Sequence, residues 1–428
     1  MAITGRTALV AALAALLAPL GTVWVLAAVG LLAAGVVADV ALAGRVADLV
    51  MDRTGATTTR LGQAIEVALV VTNGGRRRMR GVLRDAWLPS AGAAPRTQRV
   101  DIPPGERRRL VSTLVPTRRG DRTAAHVTLR SIGPLGLAGR QRRHRVPWSV
   151  RVLPPFTSRK FLPEKLAKLR ELDGAVALNR RGQGTEFDSL REYVDGDDVR
   201  SIDWRATARR GDVVVRTWRP ERDRRLVCVL DTGRTSAARV GDTPRLDAAL
   251  DACLLLAAVA ARAGDRVDLL AADSVVRASV EGASRNEVLP TLVQAMAPLE
   301  PALVESDAQL MVAEVLRRER KRALVVLFTS LDAEPIEQGL LPVLAGLTAR
   351  HTVVLAAVGD PRVAELAARR GDTESVYDAA AAERALADRR RVIGRLRRRG
   401  VLLVDAPADT FASSVADEYL ALKAAGRL

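Results

Sequence analysis

The sequence predicts a multi-domain protein: an N-terminal transmembrane helical hairpin, an antiparallel β-sandwich of immunoglobulin-like type, and a doubly wound α/β domain. Three observations predict it. Thr7 to Gly44 is apolar apart from Asp39. From about Gly55 to Pro155 the hydrophobic period becomes two. Beyond Leu226, short apolar runs alternate with helical stretches. The domain bounds that follow are 1–50, 51–155, 156–225 and 226–428.

The apolar run is far longer than the roughly 20 residues one crossing needs. Pro19-Leu20-Gly21-Thr22 interrupts it, which predicts two short crossings, about 4–18 and 22–43, joined by an uncharged turn. The alternatives are a single long tilted helix and a signal peptide; the segment lacks the charged, short-apolar, cleavable layout of the latter. Arg6 precedes the run and Arg45, Arg53 and Arg60 follow it, so the positive-inside rule places both termini and the soluble domains in the cytoplasm. The expected location is the cell membrane, multi-pass, with the lipid bilayer as a partner.

In the second domain Ile65, Val67, Leu69 and Val71 alternate with their neighbours up to Asn73-Gly74-Gly75, a hairpin signal. Further strands are expected at 78–88, 106–115, 123–131 and 138–153. Turns separate them at Pro103-Pro104-Gly105, Arg119-Gly120-Asp121 and Gly133-Pro134-Leu135-Gly136. Short strands at this spacing indicate a sandwich. The Arg residues at 76–80 and 107–109 suit either a solvated face or anionic headgroups.

After Pro154-Pro155 a short helix is expected at 162–173. The α/β domain then runs strand Leu226–Leu230, helix Leu246–Ala263, strand Val267–Ala271 and its hairpin partner Val275–Val280. Helices follow at 284–297 and 307–319, then strand Ala323–Phe328, helix 335–349 and strand Thr352–Val358. Helices 360–370 and 379–399, strand Val401–Val404 and helix 410–424 complete it. Apolar strands alternating with helices mean a mostly parallel sheet covered on both faces.

The net charge of +17 would ordinarily suggest nucleic acid. Only five basic residues are Lys, and the Arg residues are spread over every segment, so no nucleic-acid partner is expected. Cys228 and Cys253 sit in apolar surroundings without a metal or disulfide spacing and read as buried hydrophobes. His126, His144 and His351 are scattered and read as structural or surface residues, and Arg389–Arg399 is a solvated helix face or a membrane contact.

The stretch Arg180–Arg225 organises the chain. It holds four of the thirteen aromatics, Phe187, Tyr193, Trp204 and Trp218, among nearly balanced charges. A disordered charged run would be poor in aromatics and rich in one sign. Glu186-Phe187, Leu190-Arg191, Tyr193, Gly196-Asp197-Asp198, Ile202-Asp203-Trp204 and Ala208-Arg209 follow one another at a spacing that resembles the signature of the family catalogued as domain of unknown function 58. One departure is Asp195, where that family more often has Pro. The resemblance implies a membrane-anchored, non-enzymatic adaptor or assembly factor that works with a MoxR-type AAA+ ATPase in chaperone-like remodelling. Glu186, Arg191, Tyr193, Asp197, Asp198, Asp203, Trp204 and Arg209 are the partner-binding candidates.

The strand order of the last domain resembles a von Willebrand factor A-like domain, and Asp231-Thr232-Gly233-Arg234-Thr235 resembles its metal-ion-dependent adhesion loop. Asp231, Thr235 and Asp332 are the metal candidates, for Mg²⁺ and its preference for hard oxygen ligands. Gly233 stands where that loop has a hydroxyl, and Ser284 is the nearest second-loop hydroxyl. The competing reading is a degenerate loop in which Asp231 accepts backbone N–H bonds. Gly182 and Gly184 do not follow a strand, and no Walker lysine is near, so no phosphate cradle is expected. No catalytic residue is assigned; the alternative to the adaptor is a metal-dependent hydrolase using the Asp195–Asp203 carboxylates. Against it, no His accompanies them and Arg191, Arg200, Arg205 and Arg209 are close enough to pair.

Overall fold

The computed structural model describes residues 2–16, 18–179, 186–195, 197–219, 224–282 and 286–428. The chain divides into two compact units, Met1–Leu153 and Pro154–Leu428.

The first unit opens with strand β1 (Ala2–Ile3), helix α1 (Gly5–Ala15) and helix α2 (Thr22–Leu42). The break falls at Pro19 and Gly21, as expected, but the two helices are unequal. At 1.5 Å per residue, the 11 residues of α1 span only about 16 Å, against about 30 Å of hydrocarbon. Only α2, among the described residues, is long and apolar enough to cross a membrane, so two full crossings are not supported. Leu26, Leu31 and Val37 of α2 are exposed, which an apolar helix tolerates only in lipid or against a partner.

Strands follow as β2 (Leu49–Gly55), β3 (Thr58–Arg60), β4 (Ile65–Asn73), β5 (Met79–Trp87), β6 (Ala93–Ala94) and β7 (Thr97–Ile102). The unit closes with β8 (Arg107–Leu114), β9 (Gly120–Ile132), β10 (Ala138–His144) and β11 (Trp148–Leu153). They make a four-stranded sheet, β2-β4-β8-β6, and a seven-stranded one in which β9 pairs with β10, β11 and β5. Leu69 and Val71 of the small sheet pack on Leu83, Val127 and Leu129 of the large one, so the unit is a two-sheet sandwich. Three expectations change. The single strand expected over 138–153 is two strands, β10 and β11, each paired with β9. Asn73-Gly74-Gly75 is not a hairpin: β4 and β5 lie in different sheets, and buried Asn73 donates from Nδ2 to the carbonyls of Arg77 and Ile102 to make the crossing. The pairing of β11 with β3 is parallel, so the sandwich is not wholly antiparallel. A buried Arg53–Asp85 pair, also bonded by the Trp87 indole, joins β2 to β5.

The second unit begins with helix α3 (Leu162–Asn179), which contacts the last helix of the chain through Lys165 and Asp417. Strand β12 (Glu186–Glu192), helix α4 (Trp204–Arg210) and strand β13 (Val214–Arg219) carry the signature. Then come β14 (Arg225–Asp231), a small ribbon of β15 (Arg239–Val240) and β16 (Thr243–Pro244), α5 (Arg245–Arg262), β17 (Arg266–Ala272) and β18 (Val276–Val280). Helices α6 (Val288–Met296) and α7 (Ala308–Arg318), β19 (Leu324–Phe328), α8 (Leu341–Thr348) and β20 (Thr352–Gly359) continue the alternation. It ends with α9 (Pro361–Ala368), α10 (Thr373–Arg398), β21 (Leu402–Pro407) and α11 (Ala408–Ala424). The sheet order is β18-β17-β14-β19-β20-β21, parallel except for the edge strand β18. Its strands are buried on both faces, which is why their sequences are continuous apolar runs instead of alternating ones. In such an order the chain reverses direction across the sheet between β14 and β19, and a crevice opens outside the carboxyl ends of those two strands.

Candidate functional site

Asp231 ends β14 at that crevice and is buried. Its Oδ1 accepts from the Gly233 N–H at 2.8 Å and from the Ser306 hydroxyl, and its Oδ2 accepts from Thr329 Oγ1 at 2.7 Å. Thr329 directly follows β19, so the site is built by the two strands flanking the reversal. Ser306 comes from the loop before α7, which is zipped to the Asp231 loop by the Arg234 N–H to Val304 O and Ala302 N–H to Thr232 O bonds, both 2.7 Å.

Position 233 shows why the loop differs from the adhesion-site pattern. A Cβ there would run into Ser306 Oγ. The hydroxyl absent from position 233 is replaced in space by one that arrives from another loop. Ser306 had no local motif to mark it beyond the Ser-Asp pair that precedes a helix, with Asp307 accepting from the Leu310 N–H at 2.9 Å. Ser284 lies outside the described residues. Thr235 lines the same crevice, as do Ser330 and Arg245. Asp332 is turned to Arg245, at 3.4 Å, instead of toward Asp231.

A second buried carboxylate, not singled out from sequence, stands at the end of β17. Asp273 Oδ2 accepts from Thr232 Oγ1 at 3.0 Å and from Arg277 Nε at 2.7 Å. Burial raises its pKa, but the Arg277 and Thr232 bonds outweigh this and hold it below the usual carboxylate range.

These residues fit a hard cation in donor chemistry. Ser330 Oγ is buried without a hydrogen-bond partner beside Asp231, and the converging groups are one carboxylate and several hydroxyls. Mg²⁺ is commonly held by one or two carboxylates and keeps several waters. No cluster of three or more His, Cys, Asp or Glu side chains suited to a metal occurs among the described residues.

Among the described residues the signature folds as a two-stranded ribbon with the short helix α4 between its strands. Strands β12 and β13 pair antiparallel, with Leu190 opposite Arg216 and Glu192 opposite Val214. Arg191 grips Asp197 bidentately at 2.6 and 2.7 Å, which raises the Arg191 pKa. Asp198 caps a turn by accepting from the Arg200 N–H. Asp203 caps α4, accepting from the Arg205 and Ala206 N–H groups at 3.0 Å, while its other oxygen takes Arg216 Nε at 2.8 Å. The Arg216 bond first, then the helix N–H groups, hold the Asp203 carboxyl below its usual range. Gly211, with φ of 86°, ends α4 in the left-handed conformation.

Of the partner candidates, Arg191, Asp197, Asp198 and Asp203 therefore hold the module together. Tyr193 is half-buried, Arg209 is exposed, and Trp204 is 66% exposed. The side chain of Glu186 and those of Phe187 and Trp218 lie outside the described ones, as do Gly182, Gly184 and Gly196. The alternative hydrolase needs converging carboxylates, whereas Asp197 and Asp203 are each taken by a different Arg and Asp198 by a backbone N–H.

Comparison with solved structures finds small domains over about a quarter of the chain. The CARDB domain of a Pyrococcus furiosus protein matches with 16% identity and a TM-score of 0.19, covering 24% of this chain and 87% of that one. The PKD domain of an M14-like peptidase from a Thermoplasmatales archaeon matches with 13% identity and a TM-score of 0.16, covering 24% and 92%. Uncharacterized proteins of Mycobacterium tuberculosis and Mycobacterium bovis are 28% identical over 208 residues, 47% of this chain. That match spans 65% of each mycobacterial protein's length. Residues 189–399, from within β12 to the end of α10, match the family described as Protein of unknown function DUF58, and the chain belongs to that family.

Proposed function

We propose that this protein is a membrane-anchored adaptor, with a von Willebrand factor A-like domain, that docks a MoxR-type AAA+ ATPase through the β12–α4–β13 module. The observation that carries the reading is Trp204. It stands 66% exposed on a module in which Arg191 pairs with Asp197 and Arg216 with Asp203, with Val194 and Val199 also exposed. Exposed Trp with apolar neighbours is the composition of an interface hot spot. The 3-2-1-4-5-6 sheet order with its antiparallel edge, and Asp231 at the reversal, support the A-like reading. At that site Asp231, Ser306 and Thr329, with Thr235 and Ser330 nearby, are the groups that would hold Mg²⁺.

The anchor is α2. The β1–β10 pairing supports retention of the N-terminal segment over its removal as a signal peptide, because cleavage would strip an edge strand from the sandwich. Arg6 and Arg45 flanking the helices favour a cytoplasmic location for the soluble units.

The test is binding of a purified MoxR-type ATPase to full-length protein in detergent or nanodiscs. Trp204→Ala is expected to weaken binding at least tenfold, at unchanged melting temperature, because the side chain is exposed. Asp203→Ala is expected to lower both melting temperature and binding, because it uncaps α4 and frees Arg216. Undiminished binding by Trp204→Ala would overturn the docking role.

A further inference from the structure

One turn of the sandwich is built into the apolar helix. Asp39, fully buried near the end of α2, accepts the N–H groups of Leu135 at 2.8 Å, Leu137 at 2.5 Å and Ala138 at 3.0 Å. The turn crosses α2 at Gly35, where a Cβ would lie 3.0 Å from Leu137 Cδ1, and Gly133 leaves room for Asp39 itself. The start of α1 meets the same turn: Thr4 Oγ1 donates to Gly136 O at 2.6 Å, and Thr7 donates to Leu137 O. Leu135, at the tip, is 54% exposed beside Gly35.

A turn in bulk water needs no carboxylate to satisfy three N–H groups. In hydrocarbon each unsatisfied backbone group costs several kcal/mol, and a carboxylate is costly unless donors meet it. Asp39 and this turn solve both problems at once. The same level carries cations: Arg140 Nε donates to Val40 O at 2.9 Å, Arg77 donates to Ala41 O, and Arg6 lies over Gly136. None of the three has a carboxylate partner among the described residues.

We propose that the Gly133–Ala138 turn is a membrane-seated foot of the β-sandwich. Leu135 enters the hydrocarbon boundary, Asp39 takes the turn's N–H groups in place of water, and Arg6, Arg77 and Arg140 bind the phosphates of anionic lipid headgroups. The proposal rests on α2 being the membrane anchor, and the test separates the two. Full-length protein carrying Leu135→Cys, labelled with an environment-sensitive fluorophore, is reconstituted in phosphatidylcholine vesicles with and without phosphatidylglycerol. Leu31→Cys, on the exposed face of α2, is the reference; Cys228 and Cys253 are buried and stay unlabelled. Brominated lipid is expected to quench both labels. Quenching at 31 but not at 135 overturns the foot and leaves the anchor standing. Quenching at neither position overturns the anchor reading and the foot with it. Phosphatidylglycerol is expected to deepen quenching at 135, and the Arg77→Glu/Arg140→Glu double variant to abolish that gain. A gain that survives the double variant overturns the headgroup role of those arginines.

Discussion

Asp231 holds three donors at once because position 233 has no side chain. Ser306 Oγ stands where a residue 233 Cβ would go, so the two sites exchange one hydroxyl. Gly233→Ser is therefore an overpacking change at a buried loop, expected to cost about 1–3 kcal/mol in chemical denaturation. Adding Ser306→Ala should recover part of that loss, since it removes the atom in the way. Additive destabilisation by the pair would show that the two positions do not compete. Asp231 and Thr235 were legible from spacing within one loop, because strand-end loops in a doubly wound sheet are short and local. Ser306 was not, since its place depends on backbone bonds between loops some seventy residues apart. Asp332 had the right chain position and the wrong neighbour, Arg245, which only the fold supplies.

At the scale of elements, the end of the same sheet opposite the crevice, where its strands begin, carries a pH-sensitive joint. His351 is buried in the turn between α8 and β20, and neither ring nitrogen has a hydrogen-bond partner. Burial pushes its pKa below the ordinary value, with Glu319 at the end of α7 opposing and Arg350 reinforcing. Above about pH 6.5 the ring is neutral in folded and unfolded chains alike, so it takes nothing from stability there. As pH falls below that, the unfolded chain binds the proton first and stability is lost until the depressed folded pKa is passed. Denaturation midpoints at pH 7.5 and 5.5 should thus diverge for the wild type, and His351→Leu should narrow the gap. An equal gap in both proteins would remove His351 as the cause. Elements of this kind were largely readable: the expected helix at 307–319 is α7, and the strand at Thr352–Val358 is β20. The apolar run was read less well. Hydropathy reports which residues avoid water, whereas the reach of α1 is set by where its hydrogen bonds stop, at Ala15. The Asn73 turn likewise carried a hairpin's residues but not its register, since sheet membership is decided by packing across the sandwich.

For the whole molecule, the decisive geometry is that both ends of the apolar pair reach one turn. Thr4 and Thr7 bond to Gly136 and Leu137 at the start of α1, and Asp39 bonds to Leu135, Leu137 and Ala138 near the end of α2. The first unit therefore holds residues 4 and 39 at the same depth, and no reading of hydropathy alone could show this. In the sequence Asp39 only interrupts the apolar run; in the fold it is the point where α2 and the sandwich join. These contacts predict an N-terminal tag on the face that carries the sandwich, an outcome that requires α1 and α2 to enter lipid together as a re-entrant pair and not α2 to cross alone. The β1–β10 pairing enforces the same outcome independently, because Ala2 and Ile3 are part of the large sheet. Proteolysis of sealed vesicles holding full-length protein should release N-terminal and C-terminal tags together from one orientation and protect both in the other. Cleavage of the C-terminal tag with protection of the N-terminal one would mean that α2 threads the bilayer with its amino end on the far side. That arrangement would require the Thr4, Thr7 and β1 contacts to be absent.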